Sequence, residues 1–214
     1  MTPHLHSLES ALPQTSALPG RPARRWIPVR TLHARHRQRI LAHLLGLSEA
    51  DRLLRFRHHA SDDNIAQYVA HLNFERDDLF GVFNRRLELL ALGHLACPDA
   101  GSNAQVDAGA ETKAEVGLSV SQAARSLGLG TRLFAHAVSR ARQRGLRSLL
   151  ILAARENLAM LQIARRAGAS LTFAGGEVCA ELHLPAQTAR SGLASWAQQR
   201  AAEWDYRLKH HSLR

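Results

Sequence analysis

Residues 114 to 152 constrain the fold more than any other part of the chain. Ala114 to Val120 (AEVGLSV) is an apolar run of strand length. It hands over through Arg125-Ser126-Leu127-Gly128-Leu129-Gly130 to a stretch in which Leu133, Phe134, Ala137, Val138 and Ala141 recur at helical spacing. Gly145 stops that helix, and Leu149 to Leu152 follows as a short continuous apolar run, the pattern of a strand buried between helices. A strand, a helix and a buried strand in that order call for a sheet with helices layered on it, the α/β (α+β) class.

The neighbouring segments add to the same sheet. Trp26 to Leu32 alternates as a first strand, with Pro28 assigning it to a strand start or an edge. Arg35 to Leu47 carries Ile40, Leu41, Leu44 and Leu45 at helical intervals, and Ser61-Asp62-Asp63 supplies capping oxygens for a second helix through Ile65, Val69 and Leu72. Leu79 to Phe83 and Leu87 to Ala96, joined by Asn84-Arg85-Arg86, read as a hairpin. The polar, small residues from Pro98 to Thr112 form an exposed loop between strands. Asn157 to Arg166 is a further amphipathic helix, and Leu171 to Phe173 with Glu177 to Leu184, split by Gly175-Gly176, form a closing hairpin.

This order fits one domain over residues 26–184. Residues 1–25, with Pro3, Pro13, Pro19 and Pro22 and no hydrophobic period, are expected to be a flexible arm. Residues 185–214 are expected to form an amphipathic helical extension with Leu193, Trp196, Ala197, Ala201, Trp204 and Leu208 on one side. Packing on its own domain is the simplest use of that helix; a homodimer contact or a cover over a substrate cleft are the alternatives.

Composition narrows the function classes. No stretch approaches the roughly 18 consecutive apolar residues of a membrane span, and Met1 to Gly20 lacks the apolar core of a secretory signal, so a cytoplasmic protein with no membrane partner is expected. Cys97 and Cys179 are too few for a disulfide scaffold and lack the spacing of a zinc site. The adjacent pairs His58-His59 and His210-His211 do not converge readily on one ion, so no metal is expected. The net charge is +10, and with lysine only at Lys113 and Lys209, 26 of the 28 basic residues are arginine. Codon bias explains this skew most simply. The functional alternative is phosphate binding by forked guanidinium donors, in a nucleic acid backbone or an anionic cofactor. A basic nucleic-acid-binding module is a second reading, but no aromatic stacking array accompanies the charge, so nucleic acid is not the expected partner.

The turn between strand and helix carries the chemistry. Amides of a glycine-bearing turn at a helix N-terminus point outward unsatisfied, and the helix dipole adds positive potential, so a diphosphate can be held largely by backbone. Gly128 and Gly130 leave that approach clear, and Arg125 adds a forked cation. Leu133 breaks the spacing of a dinucleotide-binding G-x-G-x-x-G, and no G-K-[ST] of a nucleoside triphosphate loop occurs.

Val120, four residues, then Arg125-Ser126-Leu127-Gly128-Leu129-Gly130 resembles the acetyl-coenzyme A signature of the GNAT N-acetyltransferases. Arg144 to Leu149, Glu156 to Leu161 and Ala167-Gly168-Ala169 follow the second half of that family's pattern. The likeness is closest to the catalytic domain of bacterial protein-lysine acetyltransferases, in which a strand of AEF type precedes the loop as Ala114-Glu115-Val116 does here. It implies a mixed, mostly antiparallel sheet, splayed between its fourth and fifth strands and flanked by helices. It also implies transfer of an acetyl group from acetyl-CoA, as cosubstrate, to a primary amine of a protein lysine or a small molecule by direct attack. By the same resemblance, Arg125, Ser126, Leu127, Gly128, Leu129 and Gly130 surround the pyrophosphate, and Leu118 and Val120 offer backbone partners to the pantetheine arm. Asn157 lies near that arm or the thiol, or is an ordinary helix cap. Glu115 matches the position of a general base, with a solvent-facing strand glutamate as the alternative. His94 is a second base candidate, or a packed strand histidine. Two departures from the family pattern stand out: Ala164 where many members carry an acidic tyrosine, and Ser126 where glycine is common. They leave open a regulatory, acyl-CoA-sensing domain without catalysis.

Overall fold

The computed structural model describes residues 28–98 and 113–185. The expected arm, the first residues of the expected first strand, nearly all of the 98–112 loop, the C-terminal helix and the His210-His211 pair lie outside these residues.

The chain runs β1 (Arg30–Thr31), a 3-10 turn at Ala34–His36, α1 (Arg37–Leu45), α2 (Glu49–Phe56), α3 (Asp62–Ala70), β2 (Asp78–Phe83), β3 (Leu89–Ala96), β4 (Lys113–Val120), a 3-10 turn at Gln122–Ala124, α4 (Leu129–Gln143), β5 (Ser148–Ala154), α5 (Leu158–Arg166), β6 (Ser170–Ala174) and β7 (Glu177–His183). The strands form one sheet in the order β1-β2-β3-β4-β5-β7-β6. Every neighbouring pair is antiparallel except β4 and β5, which run parallel. This is the mixed, mostly antiparallel sheet that the resemblance implied. Two elements differ. The first strand pairs only Arg30 with Gly81 and Thr31 with Phe80, and an additional helix, α2, stands between the two expected ones.

Each face of the sheet has its own core. Ile40 and Leu44 of α1 and Ile65 and Val69 of α3 meet Leu79, Leu89 and Leu92 on one face. Leu133, Phe134, Ala137 and Ala141 of α4, with Leu161 and Ala164 of α5, meet Phe80, Val116, Leu149 and Ile151 on the other. A fully buried Leu, Ile or Phe contributes about 1.5–3 kcal/mol, so these helices are anchored by their apolar stripes. Phe80 lies across Gly93 of the adjoining strand, where a Cβ would sit 2.2 Å from the ring. Arg37 ties α1 to α3 by donating to the terminal carbonyls of Val69, Ala70 and Leu72.

Helix α2 is held differently. None of its side chains is fully buried. Its N-terminus is capped by Ser48, whose Oγ accepts from the Asp51 amide at 3.2 Å. Arg52 fixes it by donating to the Leu45 carbonyl at 2.7 Å and to the Asp62 carboxylate at 2.6 Å. Polar contacts therefore set the position of this helix, which packs against β4 and β5. Both cysteines are free thiols, Cys97 buried and Cys179 half-buried.

Candidate functional site

The sheet opens where its one parallel pair ends. Strands β4 and β5 pair only from Lys113–Ser148 to Glu115–Leu150, and from Val116 onward β4 has no neighbour on that side. The Ser121 amide donates to the Leu90 carbonyl at 2.8 Å, in register with the β3–β4 pairing. Since hydrogen-bonding direction alternates along an antiparallel strand, the odd residues of β4 bond to β3. Val116 N–H closes the last β4–β5 bond, to the Leu150 carbonyl, and the Val116 C=O and the N–H and C=O groups of Leu118 and Val120 then turn toward the gap. Leu118 and Val120 thus present a free backbone edge to the cleft they line. The gap is a cleft of about 570 Å³, lined by β4, α2, the turn before α4, the first turn of α4 and the length of α5, and its size lies in the range of small-molecule sites.

One wall is main chain. Arg125, Ser126, Gly128, Leu129 and Gly130 all line the cleft. Ser126 and Gly128 both have left-handed backbones, at φ 62° and 72°, and this curls the turn so that successive amides face the same way. The amides from Ser126 to Thr131 have no acceptor among the described residues; the first bond of α4 is Arg132 N–H to the Gly128 carbonyl at 3.2 Å. Helices α2, α3 and α5 begin under side-chain caps, whereas the residue preceding α4 is Gly128, which has none. A row of unsatisfied amides at the positive end of a 15-residue helix is an anion site. Gly128 meets nothing within 4 Å, so its role is conformational; at Gly130 a Cβ would come within 3.2 Å of Ile163, so that glycine sets the approach of α4 to α5.

The side chains of this turn do not all face the ligand space. Leu129 is buried in the core, and Leu127 is 57% exposed outside the cleft lining. Arg125 donates to the Asp51 carboxylate of α2, which fastens the turn to the opposite wall. Asn157 lines the cleft and also caps α5, its Oδ1 accepting from the Met160 amide at 3.1 Å. Ala164 is fully buried in the core and offers the cleft no hydroxyl.

The other wall is side chains. Odd residues of β4 face α1 to α3, and at Gly117 a Cβ would meet the Arg55 guanidinium at 2.7 Å; glycine here lets that group lie on the sheet. Arg55 Nη2 donates to Tyr68 Oη at 2.9 Å, and Tyr68 Oη lies 2.7 Å from His94 Nδ1. His94 Nε2 lies 3.0 Å from Asp77 Oδ2. A carboxylate only accepts, so His94 carries its proton on Nε2, and Tyr68 donates to Nδ1 while accepting from Arg55. Burial opposes the charge of Asp77, but hydrogen bonds from His94, Arg76 and the Cys97 amide prevail and hold its carboxyl well below the usual range. His94 is therefore a packed, doubly bonded residue that reaches the cleft only through Tyr68 and Arg55.

Glu115 is exposed and outside the cleft lining. It pairs with Ala96 while His94 pairs with Gly117, which makes Glu115 and His94 diagonal neighbours on one face of the sheet, at the point where β4 and β5 part. A second buried histidine, His43, approaches the Leu89 carbonyl with Nδ1 and Ser119 Oγ with Nε2, both at 2.9 Å. Burial, with the Arg55 charge acting in the same direction, pushes His43 down to about 4. The neutral ring donates from Nδ1 and accepts from Ser119, a residue of the cleft.

Asp51, Arg55, Tyr68, Ser119, His43 and Asp77 escaped the sequence reading. For the two on α2 a signal existed: Ser48 followed three residues later by Asp51, with Leu53, Leu54 and Phe56 beyond, is a helix start. Among the described residues no group of three His, Cys, Asp or Glu side chains could hold a metal ion, and no helix is long and apolar enough to cross a membrane.

The acetyltransferase (GNAT) family model matches residues 50–169. No curated protein sequence matches the chain. Among solved structures, the GNAT domain of S. lividans PAT is 22% identical with a TM-score of 0.59, over 73% of this chain and 89% of that one. An acetyltransferase of the GNAT family from Streptococcus pneumoniae is 11% identical with a TM-score of 0.56, over 75% and 100%. yncA from Salmonella typhimurium, solved with its cofactor acetyl-CoA, is 13% identical with a TM-score of 0.55, over 76% and 96%. At these identities the likeness to solved structures is one of fold.

Proposed function

The chain belongs to the GNAT acetyltransferase family, and from that premise we propose that it transfers the acetyl group of acetyl-CoA to a primary amine, of a protein lysine or a small molecule, by direct attack. The observation that carries the reading is the row of acceptor-free amides from Ser126 to Thr131 beside the gap in the sheet. These amides suit a diphosphate, and the free backbone edge of Leu118 and Val120 suits the amide groups of an extended arm.

In the reaction the amine nitrogen bonds to the thioester carbonyl carbon, the carbonyl oxygen takes up negative charge, and collapse breaks the C–S bond. The ammonium proton must leave and the thiolate must gain one. The N–H group of Leu118, directed into the gap, is a donor for the oxyanion. Glu115 takes the amine proton through water. A second route is favoured by the Tyr68–His94 bond: Tyr68 Oη accepts the amine proton as it passes its own to His94 Nδ1, and Asp77 stabilises the imidazolium. With Ala164 in the core, solvent protonates the thiolate.

Calorimetry with acetyl-CoA tests the assignment. Saturable one-to-one binding is expected, and its absence from a folded protein would overturn it. Glu115→Gln is expected to lower kcat and leave acetyl-CoA affinity alone; an unchanged kcat removes Glu115 and moves the assignment to Tyr68–His94, which His94→Gln then tests.

A further inference from the structure

Arg55 has a surrounding that its own contacts do not account for. It lines the cleft from α2, half-buried, with its guanidinium over Gly117. Phe56 and Tyr68 flank it, their ring centroids 5.2 and 5.6 Å from Cζ. Among the described residues its single hydrogen bond goes to Tyr68 through Nη2, and its Nε is buried with no acceptor there. It has no carboxylate partner among the described residues. The nearby acid, Asp51, one turn earlier on the same helix, is engaged by Ser48 and Arg125. Six other arginines, Arg52, Arg57, Arg76, Arg125, Arg140 and Arg144, do meet carboxylates. A cation drawn partly out of water without a counter-charge is costly, and this one is held in place by the hydrogen-bonded line from Asp77 through His94 and Tyr68.

Its position separates it from the phosphate turn. Gly117 precedes Val120 by three residues, about 10 Å along an extended strand, and the open amides begin only beyond Val120. Gly117 is instead close to Glu115, where β4 and β5 part, at the end of the cleft assigned above to acyl transfer.

We propose that Arg55 is a carboxylate-binding subsite at the acyl-transfer end of the cleft, so that one of the two reactants carries a carboxylate besides its reacting group. A planar guanidinium lying on a glycine floor between two rings offers the cleft its Nη1, which no described residue engages, and a carboxylate oxygen matches it. The carboxylate belongs either to the acceptor, an amine of amino-acid type, or to the acyl chain of a dicarboxylic acyl-CoA. The inference rests on the acyltransferase reading of the cleft.

Calorimetry on the full chain distinguishes the sources without requiring turnover. One arm compares free amino acids with their carboxamides; the other compares succinyl-CoA with butyryl-CoA, chains of equal length with and without a terminal carboxylate. In one arm wild type is expected to prefer the carboxylate-bearing ligand at least tenfold. Arg55→Gln is expected to bring that ratio close to one, and Arg55→Lys to leave an intermediate ratio. Equal binding within both pairs by wild type overturns the subsite, as does a preference that survives Arg55→Gln. Failure of acetyl-CoA itself to bind refutes the acyltransferase reading instead, and the amino-acid arm then still reports on Arg55.

Discussion

The two walls of the cleft recognise by different means. Along the turn into α4, the groups offered to a ligand are main-chain amides from Ser126 to Thr131, and the side chains point largely into the core, to solvent or, for Arg125, to Asp51. Across the gap, the groups offered are side chains: Arg55 from α2, Ser119 from β4 and, behind them, Tyr68, His94 and His43. A backbone site recognises charge and shape in a way any sequence with the right conformation can repeat. A side-chain site can change with each substitution. The first kind suits a donor common to many reactions, and the second suits the partner that makes each reaction particular.

The largest test of this contrast is Gly128→Val. The left-handed φ of 72° is closed to a β-branched residue, so the turn must uncurl. Losing two charge-assisted amide bonds costs about 3–4 kcal/mol, or two to three orders of magnitude in acetyl-CoA affinity by calorimetry. Unchanged affinity would mean that the main chain is not the donor wall.

Acid tests the other wall. His43, ordinarily near 6.5, lies at about 4 in the folded protein. The unfolded chain therefore takes up a proton first as pH falls. The associated stability is complete above about pH 6.5 and is lost between there and pH 4, with a slope of up to about 1.4 kcal/mol per pH unit and a total on the order of 3 kcal/mol. Half-buried His136, on the opposite face and also near 4, acts in the same sense. Urea midpoints between pH 7 and 4 should fall, and His43→Gln should flatten the decline; an equal slope in the variant would show that Ser119 does not depend on a neutral ring.

The smallest effect sharpens the contrast within one wall. Asn157 caps α5 where Gly128 leaves α4 open, so Asn157→Ala should lower stability by about 1 kcal/mol in urea unfolding. Asn157→Asp should retain most of it. A negligible loss would mean that the two helix starts do not differ as described.

The same contrast explains what the sequence revealed. A backbone site needs consecutive residues in a fixed conformation, so it leaves a contiguous trace, and Val120 through Gly130 could be read directly. The splayed sheet followed from the family that trace resembles. The side-chain wall is assembled from α2, α3, β3 and β4, and no spacing connects Arg55, Tyr68, His94 and Gly117 along the chain. Helix α2 was overlooked for a physical reason. Its eight residues bury none of their side chains fully, and Arg52, Arg55 and the following Arg57 interleave with Leu53, Leu54 and Phe56 so that the segment looks like a solvated run. His94 was noticed, but only the fold shows that Asp77 and Tyr68 occupy both its nitrogens.

The three residue pairs that join β4 to β5 are a narrow hinge between two half-sheets, β1–β4 and β5–β7. Any extended ligand that bonds to the even-numbered edge of β4 is a surrogate strand, stitching together what the polypeptide leaves parted. Donor occupancy should then slow amide exchange at Leu118 and Val120, and raise resistance to unfolding in step with ligand concentration.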